Sequence, residues 1–282
     1  MNKSLGIITD EVSSHLLEAL DFAVIHELAH IEIRTVEGIN VLMLDDHEIA
    51  SVKQAVDRQG LYVSCLTSPI FKCALDPNRR VEVGDTFGFQ KESIEDHFQL
   101  LHRAFTIARQ LGTKNIRVFS FWREEDPEKY ESEIAEYLWQ AGSLAMKEGI
   151  TLLLENEPAC NGGFATEIGR LVRMVNLDGL KVLWDPGNEA YGGRSAYPEG
   201  YEEIRGLVRH VHIKDAHILN GHPKCVPIGD GVVPFQEQIQ ALSQDGYDGL
   251  FSIETHYVPV GGTPLDGSAM SIAGLRRLNL GF

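Results

Sequence analysis

Positive charge is in short supply in this sequence. Lysine and arginine number 25 against 41 aspartates and glutamates, a formal net charge of −16. A surface of that sign repels phosphate backbones and anionic headgroups, which argues against a bulk nucleic-acid or membrane partner. It leaves room for a small anionic substrate held by local cations. Cysteine is sparse too. Cys65, Cys73, Cys160 and Cys225 form no CxxC pair and no disulfide-dense pattern, so reduced thiols are expected. No run of about 18 apolar residues occurs, and MNKSLGIITDEVSS holds no apolar stretch followed by a small-residue cleavage site. The expectation is a soluble, cytoplasmic protein. No linker, charge block or low-complexity stretch divides the chain, so residues 1–282 read as a single domain.

What is there is alternation. Short apolar runs alternate with longer segments of helical period. The expected strands are Leu5–Thr9, His30–Thr35, Leu61–Thr67, Asn115–Phe121, Ile150–Leu154, Leu180–Trp184, Val208–Ile213 and Gly249–Ile253. Helices are expected around Ser14–Leu28, Asp46–Gln59, Lys91–Leu111, Pro127–Glu148, Thr166–Val175, Tyr201–Leu207, Pro234–Ser243 and Ser268–Leu278. The third strand is expected to stop at Ser68-Pro69, and Ala216–Val233 to be an inserted loop. Ile150–Leu154 is apolar throughout, as suits a strand buried on both faces of a parallel sheet. The pattern indicates α/β architecture, either a closed barrel or a doubly wound sheet. The count of eight strands favours a single-domain (β/α)8 TIM barrel.

Four of these strands end in a residue able to bind metal. TLLLE ends at Glu155, VLWD at Asp185 and FSIE at Glu254, while HVHIKD carries His212. Period-2 alternation puts Leu153 with Glu155, Leu183 with Asp185, and Leu250 and Ser252 with Glu254 on the inward face. The C-terminal ends of barrel strands form the mouth, where catalytic groups of this fold collect. Three carboxylates ending apolar strands are costly if unpaired, and a divalent cation removes that cost. Each residue has a plainer reading alone: a solvated glutamate, a hydrogen-bonded core histidine, a turn aspartate before Pro-Gly. Their coincidence favours a metal site. His210 and His212 share a strand face about 6–7 Å apart, so only one reaches the mouth. His212 is chosen, with His210 a layer deeper in a structural role.

The segments LLLENEP (Leu152–Pro158), WDPGN (Trp184–Asn188), HVHIKD (His210–Asp215), VPIGDG (Val226–Gly231) and SIET (Ser252–Thr255) resemble the xylose isomerase-like TIM barrels. That superfamily includes sugar phosphate isomerases, epimerases and endonuclease IV. The likeness spans nearly the whole chain and points to the ketose 3-epimerase, inosose dehydratase and hydroxypyruvate isomerase branch. It implies one divalent metal ion on Glu155, Asp185, His212 and Glu254. An oxygen-rich set with one nitrogen suits Mn²⁺ or Mg²⁺, with Co²⁺ or Zn²⁺ as alternatives. It further implies a metal-dependent isomerase or epimerase acting on a small ketose or polyol ketone. The metal would stabilise an enediolate, with Glu155 and Glu254 as acid and base. A lyase of the inosose or dehydroshikimate dehydratase kind would use the same site. Relatives often form homodimers or tetramers.

Further substrate-binding candidates are Glu157, Asn188, Lys214, His256 and Arg117. Asn188 stands where several relatives carry a histidine, which argues against a multi-metal centre. For Glu32, Arg34 and Arg117 a salt bridge within the barrel is the plainer reading. Trp122 and Phe71 are either pocket walls or ordinary packing. Gly229 and Gly231 suggest a loop that approaches the site closely or moves. An endonuclease IV-like repair enzyme would need three zinc ions and extra histidines on early strands. Leu66-Thr67-Ser68 and Ser120-Phe121 offer none. A non-catalytic binding module is the remaining alternative, and the presence of all four ligand residues weighs against it.

Overall fold

Eight parallel strands close into a ring in chain order: β1 (Leu5–Ile8), β2 (His30–Ile33), β3 (Val63–Ile70), β4 (Asn115–Val118), β5 (Thr151–Glu155), β6 (Leu180–Trp184), β7 (Val208–Ile213) and β8 (Leu250–Ile253). Each pairs with its successor, and β8 returns to β1 through Leu5↔Phe251 and Ile7↔Ile253. This is a computed structural model. It describes residues 4–89 and 93–282. The expected α/β barrel is the observed fold.

Nine α-helices are described: α1 (Leu16–Ile25), α2 (Asp46–Arg58), α3 (Ile94–Leu111), α4 (Glu131–Lys147), α5 (Ala165–Val175), α6 (Pro186–Tyr191), α7 (Tyr201–Ile204), α8 (Phe235–Gln244) and α9 (Pro264–Arg277). Local chemistry sets their ends. α2 opens on a capping box, in which Asp45 and Glu48 each accept the other's backbone N–H. The side chain of Ser93 caps α3, which stops at Gly112 with φ of 79°, a left-handed turn that glycine adopts without strain. Lys91, the expected start of α3, lies outside the described residues. Among the described residues no helix is long and apolar enough to cross a membrane.

Two expectations need correction, and one plainer alternative gives way. β3 does not stop at Ser68-Pro69 but continues to Ile70. Its register against β4 shifts between Leu66 and Ile70, and Ser68 Oγ donates to the Arg117 carbonyl at 2.5 Å. The proline, which has no N–H, falls in this irregular stretch. Ala216–Val233 is not simply a loop. Asp215–Leu219 and His222–Val226 pair antiparallel around Asn220-Gly221, both with positive φ, the backbone geometry of a tight hairpin turn. Finally, Asp185-Pro-Gly opens the short helix α6. Asp185 accepts the Asn188 N–H at 2.9 Å, and Pro186 occupies the first turn.

The ring's interior is divided. Cys65, Leu153 and Leu183 form a small apolar cluster. Beside it Glu32, Arg117, His210 and His212 are also buried. Outside the ring, the strands' other faces join the helices in the main core. Buried polar groups of this number must pair among themselves, and their pairing organises the site.

One buried carboxyl lies away from that network. Glu189 in α6 is 2% exposed and accepts the Ala165 N–H at the start of α5. Burial pushes it up to about 7 from an ordinary 4.5, despite that hydrogen bond. The folded state therefore holds the proton more tightly than the unfolded chain. The resulting stability is complete below about pH 4.5 and is lost as pH rises through about 7, roughly 3 kcal/mol in all. Glu189→Gln keeps an acceptor without the charge. Urea unfolding is expected to show the variant more stable than the parent by about that amount at pH 8, and close to it near pH 4.5. Equal stabilities at pH 8 would contradict the assignment.

Candidate metal centre and active site

Glu155 ends β5, Asp185 follows β6, His212 lies in β7 and Glu254 follows β8. Four neighbouring strands of the ring thus bring four side chains to its C-terminal mouth. One donor atom from each lies within 4.8 Å of the others, and each residue is at most 2% exposed. The alternation that paired Leu153 with Glu155 and Leu183 with Asp185 holds, because both leucines pack inside the ring.

Cations brace the cluster. Arg117 Nη1 lies 3.0 Å from Glu155 Oε2 and 3.2 Å from Glu254 Oε1. Lys214 Nζ lies 2.9 Å from Asp185 Oδ2 and 3.0 Å from Glu254 Oε2. His212 Nδ1 faces Glu155 Oε1 at 2.9 Å and Glu254 Oε2 at 3.3 Å. Arg34 Nη1 reaches Glu254 Oε1 at 3.0 Å, but Asp10 and Glu11 also hold that guanidinium.

Burial pushes the carboxyls up and these cations pull them down, with different outcomes. Lys214 and His212 outweigh burial at Glu254 and hold it well below the usual range. At Glu155, Arg117 lowers the carboxyl more modestly against burial and Glu254. At Asp185 burial wins over Lys214, and the carboxyl is pushed up to about 6. Burial pulls His212 down, yet Glu32, Glu155 and Glu254 together hold its imidazole well above the ordinary value.

These shifts describe an uneven sharing of positive charge, in which Glu254 and Glu155 are held low and Asp185 is left high. The three carboxylates share Arg117 and Lys214 and only part of Arg34. Asp185 Oδ1 is committed to capping α6, while Oδ2 is buried with Lys214 beside it but makes no hydrogen bond. Three hard carboxylate ligands and one imidazole, with Asp185 Oδ2 left free of any hydrogen bond and held only by the charge of Lys214, fit a divalent cation.

Above the cluster opens a pocket of about 580 Å³. Arg117, Glu157, Asn188, Lys214, Glu254 and His256 line it, so every residue expected to contact substrate is there. Asn188 Oδ1 accepts from Lys214 Nζ at 3.1 Å, and its amide donates to the Asn156 carbonyl at 2.8 Å. Glu157 stands 3.6 Å from Lys72 Nζ. His256 Nε2 lies 3.5 Å from Glu254 Oε1.

Other expectations change. Glu32 pairs with His210 and His212 rather than with an arginine. For Phe71 and Trp122 the ordinary-packing alternative holds: Phe71 is buried in the main core, and Trp122 packs on Phe119 and Cys160. The aromatic lining is Phe87, Tyr191 and Tyr257. Gly229 and Gly231 donate their N–H groups to Asp215 Oδ2 at 2.8 and 2.9 Å. A Cβ on Gly231 would fall 2.1 Å from Asp215 Oδ1. These glycines therefore wrap a carboxylate behind the site rather than approach a ligand.

Sequence reasoning missed Lys72, Phe87 and Lys224 in the lining. Lys72 Nζ sits 4.8 Å from the Phe87 ring centre and 4.4 Å from that of Phe119. No local pattern marks it. The Asn-Gly turn that would have announced the hairpin bearing Lys224 was legible.

A family model described as Xylose isomerase-like TIM barrel matches residues 21–278. The chain belongs to that family. An inosose dehydratase of Clostridium perfringens is 27% identical over 149 residues, covering 47% of this chain and 50% of that protein. The chain thus spans about half the length of the curated relatives it matches. Among solved structures, the IOLI protein with a bound zinc atom has a TM-score of 0.75 at 17% identity, covering 99% of this chain and 98% of the other. A D-psicose 3-epimerase from Clostridium cellulolyticum H10 has a TM-score of 0.72 at 15% identity, covering 98% of each chain. Identities this low support the fold. The residue roles rest on the geometry above.

Arg117 offers a direct check of that geometry. Removing one partner of a buried ion pair leaves uncompensated charge, at about 3–5 kcal/mol. Arg117→Met is expected to lose stability of that order in urea unfolding of metal-free protein. A change below about 1 kcal/mol would mean that the guanidinium is not bridging the two glutamates.

Proposed function

We propose that this protein is a divalent-metal-dependent isomerase or epimerase of a small ketose or related polyol ketone, with Glu155, Asp185, His212 and Glu254 as the metal ligands. The observation that carries the reading is the convergence of three buried carboxylates and one imidazole beneath an open polar pocket. Mn²⁺ or Mg²⁺ suits the donor set best. When bound, the ion supplies Lewis acidity to a substrate carbonyl and its neighbouring hydroxyl.

The rest falls to the chain. A pocket of about 580 Å³ suits a sugar-sized ligand. Asn188, Glu157 and His256 present an amide, a carboxylate and an imidazole to substrate hydroxyls. Lys214 and Arg117 give the pocket floor two fixed ammonium and guanidinium donors. Glu155 and Glu254 stand on strands three apart in the ring and approach a ligand from different sides. One takes the proton from the carbon beside the carbonyl, and the other returns a proton to the opposite face. Arg117 bridges both carboxylates, fixing their separation and favouring the ionised form that can accept a proton.

The named relatives favour a second reading, because those matching in sequence are inosose dehydratases. The first proton removal is the same. The second acid then protonates a departing hydroxyl, so that water leaves and a carbon–carbon double bond forms.

Chelator-stripped protein is expected to take up one Mn²⁺ per chain by calorimetry, and Asp185→Asn to abolish that uptake. With a panel of ketoses and inososes in D₂O, NMR is expected to show deuterium entering beside the carbonyl. An intact carbon skeleton with inverted or moved functionality marks isomerisation or epimerisation, and loss of water marks dehydration. Glu254→Gln should lower kcat by about 10²–10⁴-fold. Absence of both metal uptake and deuterium exchange would defeat the reading.

A further inference from the structure

Below the four proposed ligands lies a further buried carboxylate, Glu32 of β2, that the chemistry above does not use. It is fully buried. No lysine or arginine among the described residues pairs with it. Its partners are two imidazoles and a hydroxyl. Oε1 faces His210 Nε2 at 2.5 Å, while Oε2 faces His212 Nε2 at 3.2 Å and accepts from Thr67 Oγ1 at 3.1 Å. His210 is itself tied to Ser252 Oγ at 3.3 Å and meets the His212 ring edge-on, at 5.6 Å between centroids.

We propose that Glu32 is a positioning residue for the metal centre, holding His212 so that its Nδ1 is presented to the ion. This rests on the metal-dependent reading above and adds a residue to it. The geometry leaves His212 little choice. Nε2 points down to a carboxylate, which only accepts, so Nε2 carries a hydrogen. Nδ1 faces Glu155 and Glu254, so without an ion it carries a hydrogen as well; an ion held among those carboxylates would take that hydrogen's place, while Glu32 keeps the one on Nε2. A metal-bound imidazole needs this tautomer, and a carboxylate on its far nitrogen commonly enforces it. Glu32 cannot turn away. One oxygen is engaged by His210, and the other is shared by His212 and Thr67. His210, deeper in the barrel, therefore acts on the site by locking the carboxylate that locks the ligand.

Glu32→Gln tests this with little change of volume. A glutamine has one acceptor oxygen, so its NH₂ either faces His212 directly or breaks the His210 contact that fixes the side chain, and in both cases the hold on His212 is loosened. Titration of chelator-stripped protein with Co²⁺, followed by its visible absorption, is expected to show affinity weakened about 10–100-fold in Glu32→Gln. In the Co²⁺-loaded parent, proton NMR is expected to show an exchangeable, strongly shifted resonance from His212 Nε2–H. In the variant that resonance should move or disappear. His210→Asn is expected to change both readouts in the same direction. It decides the matter alone if Glu32→Gln does not fold.

A folded variant that melts at lower temperature, yet keeps the parent's Co²⁺ affinity and resonance, would make Glu32 a packing residue and overturn the proposal. If the parent itself binds no Co²⁺, the metal-dependent reading fails first and this inference fails with it. The two failures are therefore distinct.

Discussion

Negative charge held out of water at the mouth of the barrel is the constraint on which the rest of the site depends. Glu155, Asp185 and Glu254 are placed by the ends of strands that are mostly apolar and buried. Their desolvation is severe, and no single neighbour offsets it. Arg117, Lys214, Arg34 and His212 each divide themselves between carboxylates. The result is a lattice of shared charge rather than a set of pairs. In such a lattice one side chain's position is set by all the others, which gives a reaction site the fixed geometry it requires.

The barrel makes this lattice affordable in structural terms. Parallel strands bring residues distant in sequence to the same height on the ring, and period-2 alternation turns their side chains inward together. The helices satisfy the strands' outer faces, so the interior is free to be polar. Asp185 shows the economy of the arrangement: one oxygen starts α6 and the other faces the cluster. Asn156 exchanges hydrogen bonds with the Asp185 backbone and receives the Asn188 amide, which welds the ends of β5 and β6 together.

Much of this was legible in sequence because it follows short-range periodicity. Glu155, Asp185, His212 and Glu254 each close or follow an apolar run, and the alternation within each run gives the facing direction. The strand count gave the ring. What escaped notice depends on contacts between segments far apart. Lys72 enters the pocket only because the chain after β3 carries it beneath Phe87. Glu32 looked like half of an arginine pair, since Arg34 is two residues away on the same face. Its actual partners are on β7, across the barrel interior. Pro69 looked like a strand terminator because a proline lacks an N–H. A shift of register removed the need for one. The Asp215–Val226 hairpin differs: its Asn-Gly signal is present in the sequence, but a strand pair outside the repeating βα pattern reads there as an inserted loop.

The closed ring has one further bearing. Because β8 hydrogen-bonds back to β1, the main sheet offers no free edge on which another chain could add a strand. Among the described residues, strand edges remain only in the two small hairpins, Thr35–Val36 with Ile39–Asn40 and Asp215–Leu219 with His222–Val226. Any self-association must then be built from helix flanks, loops or those hairpins. Leu17 and Ile25 of α1 and Trp139 of α4 are apolar side chains already facing outward there.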